Sequence, residues 1–395
     1  MKIVQINALC KTGSTGKICA DISKFLVQNN IENYIFYSLA NGGDENSIKF
    51  TSKNYIKLQA LKSRIFGNYG LNSKRATKKL ITEISKIDPD IVHLHNIHSH
   101  DVNLELLFNY LKATNAKIIW TFHDCWAFTG YCTHFDMIGC NKWTTQCKNC
   151  IQKNSFSWFS DRSTSLFEKK KQLFSNLNLT IVTPSKWMSD LVRKSFLSEY
   201  PVKVINNGIN LDIFKPTDSD FRAKYNIPKH KNILLGVAFG WSDKKGLHTF
   251  IELSKRLDNN FQIVLVGTNK NIDKQLPNNI ISIHKTESQS ELAKIYTAAD
   301  LFINPTLEEN FPTVNIEAIA CGTPVVTYET GGSPECIDET CGTVVPKNDI
   351  DSLFEQIILI CKEKPFSKSA CIDYAKNLSR SKMIEKYYDT YRGVI

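Results

Sequence analysis

A chain of 395 residues, 42% hydrophobic and 22% charged, has the composition of a globular protein and is long enough for two ordinary domains. It contains no apolar run of the about 18 residues that a transmembrane helix needs. The first residues, MKIVQINALCKTGSTGK, are typical of a strand and its turn and lack the pattern of a secretion signal. These observations argue against an integral membrane or secreted protein and predict a cytoplasmic one.

The net charge of +10 is concentrated in the first half of the chain. Residues 1–208 carry 27 Lys and Arg against 15 Asp and Glu, whereas residues 209–395 carry 22 against 24. A basic face suits nucleic acid, an anionic membrane surface or a phosphorylated acceptor. The stretch Lys57–Lys79 mixes Leu, Ile, Phe and Tyr with seven cations, which is compatible with a membrane interface or with a solvated basic helix and loop.

Residues 1–208 alternate short apolar strands with helical patterns, which predicts a doubly wound parallel sheet. The predicted strands are Lys2–Asn7, Asn33–Ser38, Ile91–His95, Lys117–His123, Ile181–Ser185 and Val202–Asn206. The helical patterns are Gly16–Asn29, Ser73–Lys86, Val102–Thr114, Ser165–Leu177 and Lys186–Phe196.

A polar stretch with Pro216 follows Asn207-Gly208 and predicts the connection to a second domain. That domain repeats the alternation. Its predicted strands are Asn232–Ala238, Gln262–Gly267, Ile280–His284, Leu301–Asn304, Pro324–Tyr328 and Gly342–Val345. Its helical patterns are Gly246–Leu257, Ser290–Ala299, Thr313–Ala320, Pro334–Ile337 and Ile350–Lys362, and Lys382–Tyr391 forms the last helix.

The stretch Ile303–Val326, INPTLEENFPTVNIEAIACGTPVV, has the pattern of strand, loop, helix and strand. The helix opens near Phe311 or Pro312, and its first N–H groups offer open donors and partial positive charge to a phosphate. Glu309 precedes the helix and Glu317 lies on its flank. Two carboxylates that flank a phosphate site suit the hydroxyls of a nucleotide sugar, which has a sugar, a diphosphate and a ribose in this order.

The run ENFPTVNIEAIACGTPVV resembles the donor-binding signature of the family 4 glycosyltransferases, and the resemblance covers essentially the whole chain. It implies the α/β fold named GT-B, with two Rossmann-like, doubly wound parallel-sheet domains facing a cleft. Residues 1–208 would form the acceptor-side domain and residues 209–375 the nucleotide-sugar domain. Residues 376–395 would cross back to the first domain. The resemblance also implies sugar transfer with retention and without a catalytic metal or other cofactor.

The resemblance assigns roles to the residues of this motif. Glu309 would bind hydroxyls of the donor sugar, and Glu317 would bind those of the ribose. The donor diphosphate would lie against the N–H groups of the segment formed by Phe311, Pro312, Thr313 and Val314.

Lys244-Lys245-Gly246 follows the strand NILLGVAFG and precedes a helix. The resemblance implies that Lys245 holds the donor diphosphate, since a fixed cation stabilises a departing pyrophosphate. Gly240 stands where the family has a second cation, an arginine. We therefore expect either that Lys244 supplies the second charge or that Trp241-Ser242 reshapes the pocket.

Two further loops are candidates for donor binding. Gly13, Ser14 and Gly16 follow the first strand, where glycines let the backbone approach an anion. A tight turn is the alternative, but the place of the loop at the carboxyl end of the sheet favours ligand binding. The loop lacks the spacing of a Walker motif, and the resemblance places a similar loop beside the donor phosphates. Gly267 and Lys285 end the runs QIVLVG and ISIHK, where the family seats the nucleotide base.

His123 ends the strand KIIWTFH and is followed by Asp124. The match to the T-x-H-D pattern of the family implies a contact with the donor sugar, and the alternative is a structural histidine. The run VHLHNIHSH suggests a metal cluster at first sight. We interpret its histidines as buried or cleft-lining, with His98 near the acceptor.

Five of twelve cysteines lie between Cys125 and Cys150. The spacing Cys132-x7-Cys140-x6-Cys147-x2-Cys150 favours a structural zinc site that clamps an inserted loop with too little core of its own. His134 is a substitute ligand, and free thiols or an iron–sulfur cluster are the alternatives. The insertion, with HDCWAFTG before it, resembles one subgroup of the family that is often tied to bacterial surface polysaccharide, and it should shape the acceptor side.

We therefore expect a retaining glycosyltransferase that moves a sugar from a nucleotide diphosphate sugar to a glycan or polyprenyl-diphosphate-linked saccharide at the inner face of the membrane. Another GT-B enzyme, an epimerase or a phosphorylase, is the nearest alternative, but the sequence has no clear signature of either. A zinc-stabilised, basic nucleic-acid-binding protein is a third reading. The near-neutral second half and the intact donor motif argue against it and against nucleic acid as a partner.

Overall fold

The structure is a computed structural model that describes residues 1–39 and 42–395. The chain divides into two compact units. The first unit is formed by Met1–Ile205 together with Ile384–Ile395, and the second unit by Asn206–Met383. Residues 376–383, which the sequence analysis grouped with the end of the chain, therefore lie with the second unit.

The first unit contains one parallel sheet of seven strands in the order β3-β2-β1-β4-β5-β6-β7. The strands are β1 (Lys2–Ile6), β2 (Glu32–Tyr37), β3 (Ser47–Lys49), β4 (Ile91–Leu94), β5 (Lys117–Thr121), β6 (Leu179–Thr183) and β7 (Val202–Val204). Its helices include α1 (Gly13–Gln28), α2 (Lys53–Phe66), α3 (Lys74–Ile87), α4 (Leu104–Ala113), α5 (Lys153–Phe156), α6 (Ser163–Phe174) and α7 (Lys186–Lys194).

The second unit contains one parallel sheet of six strands in the order β10-β9-β8-β11-β12-β13. The strands are β8 (Asn232–Val237), β9 (Phe261–Val266), β10 (Ile280–Ile283), β11 (Leu301–Asn304), β12 (Val325–Tyr328) and β13 (Gly342–Val345). Its helices are α8 (Phe221–Lys224), α9 (Leu247–Arg256), α10 (Lys270–Asp273), α11 (Gln289–Ala298), α12 (Thr313–Ala320), α13 (Ile350–Glu363) and α14 (Lys368–Ala375). The last helix, α15 (Arg380–Val394), begins in this unit and lies mostly in the first.

Two parallel-sheet α/β domains were predicted, and the structure confirms them. The central strands are largely apolar and buried because helices cover both faces of a parallel sheet. All four residues of β4 and of β11 are buried. Polar residues start several helices, as expected for N-caps. The side chain of Asn103 accepts from Leu106 N at the start of α4, and that of Asp349 accepts from Ser352 N at the start of α13.

Each sheet has one point at which the strand order reverses, between β1 and β4 in the first unit and between β8 and β11 in the second. The loops at the carboxyl ends of these neighbouring strands lead to opposite faces of the sheet and leave a crevice, which is where open α/β sheets bind ligands. Within the described ranges, no helix is long and apolar enough to cross a membrane.

Candidate active site

The loops that follow β8 and β11 are bonded to each other at the crevice of the second unit. Leu307 N donates to the carbonyl oxygen of Lys244 at 2.8 Å, and Thr306 Oγ1 donates to the same oxygen at 3.1 Å. The two loops therefore hold a common geometry, and each carries residues that the sequence motifs had selected separately.

Two neighbouring ion pairs join these loops. Nζ of Lys245 lies 2.6 Å from Oε2 of Glu309, and Nζ of Lys244 lies 2.6 Å from Oε2 of Glu308. The side chain of Glu308 is only 3% exposed, whereas that of Glu309 is 22% exposed. A buried carboxylate needs a counter-charge, and Lys244 supplies it to Glu308. The accessible pair is Lys245–Glu309.

This arrangement bears on the second cation expected at the donor diphosphate. The sequence analysis left two possibilities: Lys244 supplies that charge, or Trp241-Ser242 reshapes the pocket. Trp241 belongs to the apolar core, where its Nε1 donates to Val266 O at 2.9 Å and its ring packs on Phe250. Lys244 is paired with Glu308. The geometry thus assigns Lys244 to holding the loop, and its contact with the diphosphate stays a prediction.

Two glycines set the position of the loop between β11 and α12. At Gly246 (φ +77°) a Cβ atom would lie 2.4 Å from the carbonyl oxygen of Pro305. At Gly331 (φ +56°) it would lie 1.8 Å from the carbonyl oxygen of Glu309. Such approaches admit only glycine. Sequence reasoning missed Gly331 and Glu308, although the Gly331-Gly332 dipeptide and the doubled glutamate were visible signals.

The helix α12 begins at Thr313, directly after this loop, with Pro312 at the N-cap. The proline ring offers no hydrogen bond to the first N–H groups of the helix, and Phe311 before it is buried. The N–H groups of Thr313 and Val314 are therefore the donors that this helix end presents to an anion. They follow Glu309 by a few residues, as the motif predicted.

Glu317 lies on α12 and is half-buried. Its Oε2 accepts a hydrogen bond from Tyr296 OH at 3.1 Å. Burial, and then the adjacent Glu317 charge, raise the pKa of Tyr296 well above its usual value, so that the phenol stays a neutral donor. This bond fixes the orientation of the Glu317 carboxylate, which a ribose-binding group requires.

The two candidates for binding the nucleotide base, Gly267 and Lys285, lie at different distances from the ion pairs. Gly267 directly follows β9 and donates its N–H to Ile283 O at 2.8 Å. Lys285 is exposed and follows β10, the edge strand. Since β10 is three strands from β11, Lys285 leaves the sheet about 14 Å from the Glu309 loop. The structure does not bring Lys285 together with the ion pairs.

The glycine-rich loop lies at the crevice of the first unit. Ala8 N donates to Asn96 O at 3.0 Å, which ties the loop after β1 to the loop after β4. Gly13 is the first residue of α1, and Ser14 is exposed beside it. A Cβ on Gly16 would meet Leu9 at 3.1 Å. The loop is thus at the place where sheets of this kind bind anions, and donor binding by Gly13, Ser14 and Gly16 stays a prediction.

The histidines of the first unit form a buried network. His93 Nδ1 lies 2.7 Å from Tyr391 OH of α15, and its Nε2 lies 2.8 Å from Thr121 Oγ1. The His93 and His95 rings are 4.0 Å apart. His95 Nδ1 lies 3.1 Å from His123 Nε2. Tyr391 is therefore linked to His123 through two buried histidines, a connection that sequence reasoning missed.

The charges in this network are unequal. Burial lowers the pKa of His93 to about 3 and that of His123 to about 4, so both are neutral near pH 7. Burial also opposes charge on His98, but Asp124, 2.9 Å from its Nε2, outweighs it and raises the pKa of His98. Burial likewise opposes the Asp124 charge, yet His98 and the N–H of Trp126 hold the pKa of Asp124 at about 2. Asp124 thus favours the charged form of His98, beside a neutral His123.

We expect acid to destabilise the first unit because of these neutral histidines. Burial also lowers the pKa of His95, and that of His100 to about 4. Below about pH 6.5 the unfolded chain binds protons that the folded state refuses, so the unfolding free energy falls by up to about 1.4 kcal/mol per pH unit for each histidine. His98 acts in the opposite direction, since its raised pKa adds stability at low pH. Urea unfolding at pH 7.5 and pH 5, followed by tryptophan fluorescence, measures the balance.

The variant His93→Gln is the matched test of this prediction, because glutamine keeps hydrogen-bonding capacity and does not titrate. Its unfolding free energy should vary less between the two pH values than that of the native protein. An equal pH dependence in both proteins would contradict the assignment.

The Cys-rich segment packs into the core of the first unit. The Trp143 ring lies 5.2 Å from Phe128 and 4.9 Å from Phe135. Lys170 of α6 is fully buried and donates to Trp126 O at 2.7 Å and to Thr129 O at 3.0 Å. The segment therefore has the core that we expected it to lack.

The packing of the Cys-rich segment does not support the predicted zinc site. In the portion of the chain that the structure describes, no three His, Cys, Asp or Glu side chains meet so as to hold a metal ion. Aromatic packing gives the segment a core, so the expectation that it needs a metal clamp for lack of one was wrong. Zinc binding stays a prediction, which metal analysis of the purified protein would test. Its proposed ligands are Cys132, Cys140, Cys147 and Cys150, of which Cys132 and Cys147 are buried.

The fold and the site of the second unit define the class of protein. Two parallel α/β units of this kind, with an open helix end and neighbouring carboxylates at a crevice of the second unit, are those of a GT-B glycosyltransferase. Residues 15–213 match the family model described as Glycosyltransferase Family 4, and residues 217–378 match that of glycosyl transferases group 1. The chain belongs to Glycosyltransferase Family 4 and is a glycosyltransferase.

Comparisons over the whole chain agree with this assignment. The chain is 23% identical to the putative colanic acid biosynthesis glycosyl transferase WcaC of Escherichia coli K12, with all of both chains covered. Sucrose-phosphate synthase from Thermosynechococcus elongatus has a TM-score of 0.72 at 18% identity and covers 100% of this chain and 98% of its own. HepE from Anabaena in complex with UDP has a TM-score of 0.72 at 15% identity over all of both chains. At these identities the two structures support the fold alone.

Proposed function

We propose that this glycosyltransferase is retaining and moves a sugar from a nucleotide diphosphate sugar to a glycan or polyprenyl-diphosphate-linked saccharide in bacterial surface polysaccharide biosynthesis. The observation that carries the proposal is the accessible Lys245–Glu309 pair directly before the open helix end of α12. The similarity to WcaC supports the polysaccharide, and HepE, which has the same fold, was solved in complex with UDP. We further propose that the protein acts in the cytoplasm, on the inner face of the membrane.

Donor binding requires the ion pair to exchange partners. A diphosphate beside the N–H groups of Thr313 and Val314 attracts Lys245 away from Glu309. The carboxylate of Glu309 then accepts hydrogen bonds from sugar hydroxyls, while Glu317, oriented by Tyr296, accepts those of the ribose. Before the donor arrives, the pairing keeps both charged groups compensated, so the site is preorganised without an unpaired charge.

In the chemical step the bond between the anomeric carbon and the β-phosphate oxygen breaks. Charge develops on the diphosphate, where Lys245 and the helix end stabilise it. The acceptor hydroxyl attacks the anomeric carbon on the same face, and its proton passes to the departing phosphate oxygen. We assign to neutral His123 the role that the resemblance implies, a hydrogen bond to a donor hydroxyl.

The stereochemistry of the product tests the retaining part of this proposal. Methanol serves as a surrogate acceptor, because a methyl glycoside does not interconvert between anomers as a free sugar does. From an α-linked nucleotide sugar, we expect the methyl α-glycoside in the proton NMR spectrum. Formation of the methyl β-glycoside would show inversion and would overturn this part of the proposal.

A further inference from the structure

Helix α2 carries three large apolar side chains that are exposed: Leu58, Leu61 and Phe66 are 50%, 45% and 55% exposed. Its buried residues are Ile56, Gln59 and Ser63, two of which are polar. An ordinary surface helix turns its apolar stripe to the core and its polar residues to the solvent. Packing within the first unit accounts for Ile56 but not for the exposed apolar side chains of α2.

A neighbouring loop continues the apolar surface. Ile151, Trp158 and Phe159 are 71%, 51% and 74% exposed. The loop is bonded to the end of α2, since Trp158 N donates to the carbonyl oxygen of Arg64 at 2.7 Å and Arg64 Nη1 donates to Asn154 O at 3.3 Å. Six large apolar side chains on one surface exceed the scattered exposure that is normal for a soluble protein.

Positive charge lies beside the apolar side chains of α2. Lys53, Lys57 and Lys62 of α2 are exposed. The sequence has no Asp or Glu between Glu45 and Glu83. A partner protein is a poorer match for this composition, because lysine is depleted at protein–protein interfaces. Trp, Phe and Leu flanked by lysines match the boundary between lipid headgroups and acyl chains.

We propose that α2 and residues 151–160, together the α2 surface, bind an anionic phospholipid membrane. The apolar side chains enter the headgroup boundary, and the lysines pair with lipid phosphates. The buried side of α2 contacts the loop after β4, where Ser63 Oγ lies 3.2 Å from His100 Nδ1. Helix α2 therefore lies between the membrane and the loop after β4.

The α2 surface would bring the enzyme to a lipid-linked acceptor. This role of the surface rests on the proposed function. Membrane binding itself does not, because it needs neither donor nor acceptor. Flotation of the full chain with vesicles measures it directly. The two vesicle types are phosphatidylcholine alone and phosphatidylcholine mixed with phosphatidylglycerol.

We expect the native protein to float with the anionic vesicles and to be released by high salt. The double variant Trp158→Ser/Phe159→Ser should bind the anionic vesicles at least about tenfold more weakly than the native protein, because it loses two side chains that anchor in the membrane interface. Lys57→Gln/Lys62→Gln should also bind about tenfold more weakly and be less sensitive to salt. The matched controls, Leu359→Ser and Lys362→Gln of α13, should float like the native protein. All variants should hydrolyse a water-soluble donor at the native rate, which verifies folding.

A native protein that floats with neither vesicle type would overturn the proposal, and so would a Trp158→Ser/Phe159→Ser variant that floats as well as the native protein. Sedimentation equilibrium tests the alternative that the apolar surface mediates self-association. A dimer that the same double variant dissociates, without vesicle binding, would show self-association and would likewise overturn the proposal.

Discussion

Replacing Lys245 by Met should lower kcat by about 10² to 10³-fold, because the reaction loses the cation that stabilises the departing diphosphate. The melting temperature should change little, since Lys245 is 38% exposed and pairs with Glu309 at the surface. Steady-state kinetics with the preferred donor measures the effect. The variant Lys245→Arg keeps the charge and should retain part of the activity.

Two controls separate this effect from a general loss of charge. Lys255 of α9 pairs with Glu252 and is 59% exposed, so Lys255→Met should keep native activity. In the double variant Lys245→Met/Glu309→Gln, the fold-decrease in kcat should be smaller than the product of the fold-decreases of the two single variants, because the two groups act together. Native kcat in Lys245→Met would contradict the role of this residue.

Replacing Gly331 by Ala should impair both the stability and the activity of the enzyme. The new Cβ would lie 1.8 Å from the carbonyl oxygen of Glu309, and the backbone has a φ of +56°. We expect a loss of about 1–3 kcal/mol in unfolding free energy from strain. Displacement of the Glu309 loop by about 1 Å should lower kcat/KM by about 10²-fold. Urea unfolding and donor kinetics measure the two effects.

Gly240→Ala is the control for this substitution, because a Cβ on Gly240 would meet nothing within 4 Å. It should leave both stability and activity near native. If Gly331→Ala behaved in the same way, Gly331 would not position the Glu309 loop.

The sequence predicted most of the fold because parallel α/β domains are built from local patterns. Buried strands such as β11 begin with a continuous apolar run, here Leu301 to Ile303, and the helices between the strands show a different hydrophobic period. Short elements such as β3 (Ser47–Lys49) and α10 (Lys270–Asp273) escaped prediction. They are too short for either period to appear.

The candidate site was predicted only in part, for a different reason. Glu309 and Lys245 were selected from separate motifs, but their pairing depends on the contact between two loops that sequence spacing does not reveal. The bond between His93 and Tyr391 spans 298 residues of sequence. Lys170 was closer to being predictable, since it shares the apolar side of α6 with Leu166 and Leu173.

For the cysteine-rich segment, the structure corrects the reason given for a zinc site, and zinc binding itself stays a prediction. Four cysteines at metal-like intervals were expected to clamp a loop that lacked a core. The ring of Trp143 and its aromatic neighbours supply that core, and cysteine packs as a small apolar residue in such surroundings.

The most direct test of the central claim, a nucleotide-sugar site at the Lys245–Glu309 pair, is the hydrolysis of a panel of UDP-, GDP- and ADP-sugars. Native protein and Glu309→Ala are compared, with release of nucleoside diphosphate as the readout. We predict slow hydrolysis of one donor by the native protein and its loss in the variant. Absence of binding and turnover for every donor, or equal turnover by Glu309→Ala, would contradict the account.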